Sequence, residues 1–102
     1  MAKIKYTTRL LSTAEQDFNE IIDYILGENV SAAISIADKI ESNLQLLERN
    51  PQLGRIPNDE ELLRLGYRYL IVLEYLVFYK IEDTTIIVYR ILHGARNYKS
   101  LL

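Results

Sequence analysis

The chain is 102 residues long and 49% hydrophobic, which suits one domain spanning residues 1–102 with one modest core. With no cysteine and one histidine, it lacks the residues for a disulfide framework or a thiolate metal site, and no metal or other cofactor is expected. Fourteen carboxylates against twelve cations leave a net charge of −2, without the broad positive field of a general nucleic-acid binder.

Residues 3–8 (KIKYTT) alternate apolar and polar side chains and predict a short strand with Ile4 and Tyr6 on one face. Ser12-Thr13-Ala14-Glu15 has the form of a capping box. Ala14, Phe18, Ile21, Ile22 and Ile25 then recur at helical spacing, with Asp17, Glu20 and Asp23 on other faces and Gly27 as the stop. After a tight connection, Ser31 is the expected cap of a second helix, whose stripe is Ala33, Ile36, Ala37, Ile40, Leu44 and Leu47. Asn50-Pro51 ends it, because the residue before proline avoids helical geometry. Residues 12–49 therefore form a helical hairpin. Residues 51–66 hold both prolines and two of the four glycines and read as a loop, with one helical turn at 58–65 capped by Asn58. Beyond them β-branched and aromatic residues dominate, and strands are expected at 67–73, 75–82 and 85–92, with turns at Leu73-Glu74 and Glu82-Asp83-Thr84. The order β-α-α-β-β-β is an α+β fold in which a helical hairpin packs on a small, largely antiparallel sheet. The most apolar run, residues 69–79, already contains Glu74, so no membrane span is expected. Nothing resembles a signal peptide, and a cytoplasmic location is expected.

Charge is distributed in blocks. Residues 12–48 carry eight carboxylates against Lys39 alone, while residues 64–102 carry six cations against three anions. The second block gathers Arg90, His93, Arg96, Tyr98 and Lys99 near the last strand, with Arg68 on an earlier one. On one sheet face these cations would make a patch for phosphate or carboxylate, flanked by tyrosines at 67, 69, 75, 79, 89 and 98 as stacking surface. The competing reading is that the arginines decorate a solvated sheet and the tyrosines fill the core. His93 is the one candidate general acid or base of neutral pH, but no nucleophile pairs with it in the sequence.

NPQLGR (residues 50–55), YRYLIV (67–72), VFYKIED (77–83) and ILHGARN (91–97) occur in an order and spacing that resembles the RelE/ParE superfamily of type II toxin–antitoxin toxins. The resemblance implies the same strand–helix–helix–three-strand fold and a cognate antitoxin as partner. It also implies one of two targets: DNA gyrase, poisoned by ParE-like members, or the ribosome with its mRNA, cut by RelE-like members without metal. By resemblance Arg68 matches one strand cation of the RelE-like site and Arg96 the arginine after the last strand. The second strand cation falls at Leu70, the arginine opening the next strand at Tyr75, and Tyr98 stands several residues before the family's late tyrosine. Loss of positioned cations removes stabilisation of the phosphorane charge that ribose 2′-hydroxyl attack develops. The ParE-like reading is therefore favoured, with Arg68, Arg90, His93, Arg96, Tyr98 and Lys99 as target- or antitoxin-binding residues. The alternatives are a metal-independent endoribonuclease using Arg68, Arg90, His93, Arg96 and Tyr98, and a module that binds its antitoxin without toxicity.

Overall fold

The computed structural model describes residues 4–95 and 98–102. In chain order the elements are β1 (Thr7–Leu10), α1 (Ser12–Leu26), α2 (Val30–Arg49), a 3-10 turn (Pro51–Leu53), α3 (Glu60–Arg64), β2 (Arg68–Val72), β3 (Tyr75–Glu82), β4 (Thr85–His93) and a second 3-10 turn (Tyr98–Leu101). The sheet order is β1-β4-β3-β2. Two hairpins make β2, β3 and β4 antiparallel, and β1 lies parallel to β4 from Thr7↔Thr85 to Leu10↔Val88. A parallel neighbour requires a long crossover, which the helical hairpin begins. The expected α+β architecture is the one observed.

Boundaries moved where tertiary partners overrode local pattern. The first strand covers Thr7–Leu10, because that is where β4 offers a ladder; of the expected 3–8, Lys3 lies outside the described residues, residues 4–6 precede the strand, and Ile4 is exposed. No capping box forms at Ser12: Leu11 is the N-cap, without a side-chain hydrogen bond. Helix α2 is capped by Asn29 instead of Ser31, its Oδ1 accepting from the Ala32 N–H at 3.0 Å. Asp59, one residue after the expected Asn58, caps α3 by accepting from the Leu62 N–H at 3.0 Å. Sequence spacing leaves a cap ambiguous by a residue or two, since Asn, Asp and Ser all serve.

The inner face of the sheet presents Leu70, Val72, Val77, Tyr79, Ile86, Val88 and Ile91 to Ala14, Ile40 and Leu47 of the helices, which is the main core. The outer face is not bare. Leu62, Tyr67, Phe78 and Leu92 form a second buried cluster, against which Tyr98, Leu101 and Leu102 pack. The pairing shifts between Phe78 and Tyr79: Val88 faces Tyr79 and Arg90 faces Phe78, leaving Tyr89 as the bulged residue of β4. Strict in–out alternation is broken there, so that Val88 and Ile91 both belong to the main core.

Candidate functional site at the C-terminal edge of the sheet

Strand β1 ends at Leu10, opposite Val88, so β4 runs on for several residues without a neighbour on that side. Asp17 of α1 fills the gap. Its Oδ2 accepts from the Ile91 N–H at 3.0 Å and from Arg90 Nε at 2.7 Å, and its Oδ1 accepts from Arg90 Nη2 at 2.8 Å. Arg90 Nη1 donates to the Leu101 carbonyl at 3.0 Å, tying the C-terminal segment to the same knot. Hydrogen bonding by Asp17 raises the Arg90 pKa further despite the opposing effect of burial, so its charge is permanent. Asp17, expected off the apolar face of its helix, is only 8% exposed. A sequence signal for this did exist: position 17 is three after Ala14 and four before Ile21, on the flank of the apolar stripe.

Among the described residues, Lys99 and Arg68 are also engaged. Lys99 Nζ meets Asp59 Oδ2 at 2.6 Å, and the Tyr98 ring lies against Phe78 with centroids 5.1 Å apart. That contact with Lys99 holds the Asp59 carboxyl below the ordinary carboxylate range and holds the Lys99 ammonium above its usual value. Arg68 stands opposite Tyr79, on the helix side of the sheet, and its Nη1 donates to the Gly54 carbonyl at 3.3 Å. His93 Nδ1 accepts from the Ala95 N–H at 3.1 Å, and its ring meets Tyr75 edge-on at 5.6 Å. Arg96 lies outside the described residues. Arg90, His93, Tyr98 and Lys99 thus gather around the end of β4 and the tail. Arg68 serves the loop of residues 50–55 instead, and the described candidates do not share one face: Tyr98 packs on Phe78 of the outer cluster and His93 on Tyr75 of the inner one.

That loop is anchored by Tyr79, whose buried hydroxyl donates to the Pro51 carbonyl at 2.8 Å and accepts from the Gly54 N–H at 2.9 Å. Burial raises the Tyr79 pKa, against the lowering effects of the Gly54 hydrogen bond and Arg68, and the phenol stays neutral. A methyl group on Gly54 would run into the Tyr79 ring, which explains why glycine stands there. The Arg55 and Tyr69 backbones exchange hydrogen bonds of 2.7 and 3.0 Å, so the loop also covers part of the open edge of β2.

Two hollows flank the tail. A groove of about 340 Å³ on the outer face is lined by Pro57, Tyr69, Ile71, Leu76, Phe78 and Tyr98, among others. A cleft of about 260 Å³ lies between α1 and the end of β4, walled by Glu20, Tyr24, Tyr75 and His93 over Ile21 and Ile91. Among the described residues, no three His, Cys, Asp or Glu side chains come together as metal ligands, and no helix is long and apolar enough to cross a membrane.

Comparison with known proteins agrees with this architecture. A chain of the chromosomal ParDE toxin–antitoxin system of P. aeruginosa superposes with a TM-score of 0.72 at 17% identity, over 89% of this chain and 98% of that one. A chain of the toxin–antitoxin complex RelBE2 of Mycobacterium tuberculosis superposes with a TM-score of 0.57 at 25% identity, over 88% of this chain and 99% of that one. No curated protein matches in sequence. The family model for the ParE toxin of the type II toxin–antitoxin system parDE matches residues 9–98, nearly the whole chain. The chain therefore belongs to the ParE toxin family, within the RelE/ParE superfamily of type II toxin–antitoxin toxins.

Proposed function

We propose that this toxin acts by binding rather than by cutting RNA, with DNA gyrase as its target and a cognate antitoxin as the partner that neutralises it. The observation that carries this reading is the commitment of Arg68, Arg90 and Lys99, the candidate cations among the described residues, to internal contacts. Arg90 is held by Asp17 and the Leu101 carbonyl, Lys99 by Asp59 and Arg68 by the Gly54 carbonyl, on different sides of the sheet. Metal-free cleavage by a ribose 2′-hydroxyl needs an acid, a base and cations converging on one phosphate. Here the cations instead fix backbone and tail. The match to the ParE family supports the same choice.

For the antitoxin, the supporting feature is exposed apolar surface along β2. Ile56, Ile71 and Leu73 are all exposed there, next to the 340 Å³ groove. Such a patch beside a strand edge is the surface a tightly bound partner covers.

The deciding experiment induces the protein in growing cells and follows two readouts together. Gyrase supercoiling with trapped DNA breaks is the expected positive; mRNA cut during translation with gyrase unaffected would overturn the reading. Arrest with neither effect would overturn the gyrase target, and absence of arrest would favour a module that binds its antitoxin without toxicity.

A further inference from the structure

Pairing of Arg90 and Lys99 has a second consequence: among the described residues, the two cations nearest the end of β4 are each matched by a carboxylate. The 260 Å³ cleft beside it is lined by Asp17, Glu20, Ile21, Tyr24, Tyr75, Ile91, Leu92 and His93, with no lysine or arginine among the described residues. Asp17 is matched by Arg90. Glu20 adds to the field around Arg90 but has no ion pair of its own among the described residues; its Oε1 accepts from Gln16 Nε2 at 3.0 Å. Glu74 is close enough to Tyr75 to contribute, after burial, to raising its phenol pKa, and Tyr24 contributes as well. The described groups around the cleft are therefore Asp17, Glu20 and Glu74 against Arg90, a net negative balance.

The walls are aromatic. Tyr75 and His93 stand nearly perpendicular, with ring planes at 83° and centroids 5.6 Å apart. Tyr24 closes the cleft from α1 and is 72% exposed, a large ring with little of its surface packed. Apolar Ile21 and Ile91 lie with them in the lining. Aromatic faces around an apolar floor, with an unpaired carboxylate at the rim, are what a cationic side chain seeks: the rings attract its charge and the carboxylate accepts its hydrogen bonds. An anion would meet net negative charge, and a plain apolar side chain would leave Glu20 unused.

We propose that this cleft receives an arginine or lysine side chain of the antitoxin, gripped between Tyr24, Tyr75 and His93 and paired with Glu20. Charge complementarity selects the occupant: a basic residue on a partner polypeptide. The assignment of the antitoxin as source rests on the functional reading above.

The test has two arms. In the first, the full-length protein with labelled aromatic rings is titrated by NMR with Nα-acetyl-arginine amide and, separately, with its neutral counterpart Nα-acetyl-citrulline amide. Expected is millimolar binding of the arginine compound, read at Tyr24, Tyr75 and His93, and at least about fivefold weaker binding of the citrulline compound. Glu20→Gln and Tyr24→Ala, both at exposed positions and checked for fold by circular dichroism, should each weaken the arginine compound about three- to tenfold. Equal binding of the two compounds, or unchanged binding in both variants, overturns the cationic site. In the second arm, binding of the purified cognate antitoxin is measured at low and high salt. Wild type should lose affinity with salt, and Glu20→Gln should be weaker at low salt and less salt-dependent. Failure of wild type to bind the antitoxin would overturn the functional reading. Equal binding by wild type and both variants would overturn this inference alone.

Discussion

Asp17 shows how one carboxylate can hold several parts of a small fold. It replaces a missing strand at the Ile91 N–H and pairs the Arg90 guanidinium through two nitrogens, while Arg90 in turn reaches the tail. Asp17→Ala would leave two nitrogens of a half-buried guanidinium and the Ile91 N–H without their partner, with only the Leu101 carbonyl still held by Arg90. Because Arg90 keeps some solvent access, the expected loss is about 2–3 kcal/mol, below the range for a fully buried pair. Urea denaturation with unchanged m-value would measure it. Tyr79→Phe is the matching experiment on the other side of the sheet. It keeps the ring and removes the hydroxyl shared by Pro51 and Gly54, and the expected cost is about 1–3 kcal/mol, read the same way. Neither role was visible in the sequence, because the partners of Asp17 are 73 and 74 residues away and those of Tyr79 are 28 and 25 away.

The elements themselves were far more legible than their ends. The apolar stripes of α1 and α2 and the β-branched, aromatic run after residue 67 correspond to observed elements, since burial on one face imposes its period directly. The turns were placed correctly but not for a local reason that sequence offers at Leu73. Leu73 and Asp83 open the two hairpin turns at φ 56 and 53, in the left-handed region that side chains with a Cβ disfavour. Asp tolerates it; Leu does not, and its side chain is exposed. Leu73→Asn should therefore raise stability by roughly 0.5–1 kcal/mol, seen as a higher midpoint in thermal melting. The tail makes a different kind of prediction. Asp59 is depressed, so the stability it contributes is present above the ordinary carboxylate pKa and lost as pH falls through its lower folded value. Lys99 is raised, so its contribution holds at neutral pH and is lost only as pH rises through its folded value. Tail docking should therefore be constant across neutral pH and loosen below about pH 4, which the ring shifts of Tyr98 against Phe78 would report.

For the whole molecule, the edges of the sheet matter most. Along one side the open backbone donors are answered by carboxylates: Glu48 accepts from the Thr8 N–H at 2.8 Å and Asp17 from the Ile91 N–H. Along the other side Arg55 covers Tyr69, while Ile71 and Leu73 beyond it stay exposed. If the antitoxin covers this edge, Ile71→Lys should leave stability within about 0.5 kcal/mol yet weaken antitoxin binding at least tenfold by calorimetry. The sequence by itself determined the element types, their order, the two-layer α+β architecture and the family resemblance, because periodicity and motif order are properties of neighbours along the chain. Only the tertiary structure decided which carboxylate neutralises which cation, since pairs such as Asp17 with Arg90 and Asp59 with Lys99 meet only after the sheet has brought distant segments together. That pairing neutralises Arg90 and Lys99 within the basic C-terminal stretch, with a cleft of Glu20, Tyr24, Tyr75 and His93 at its side.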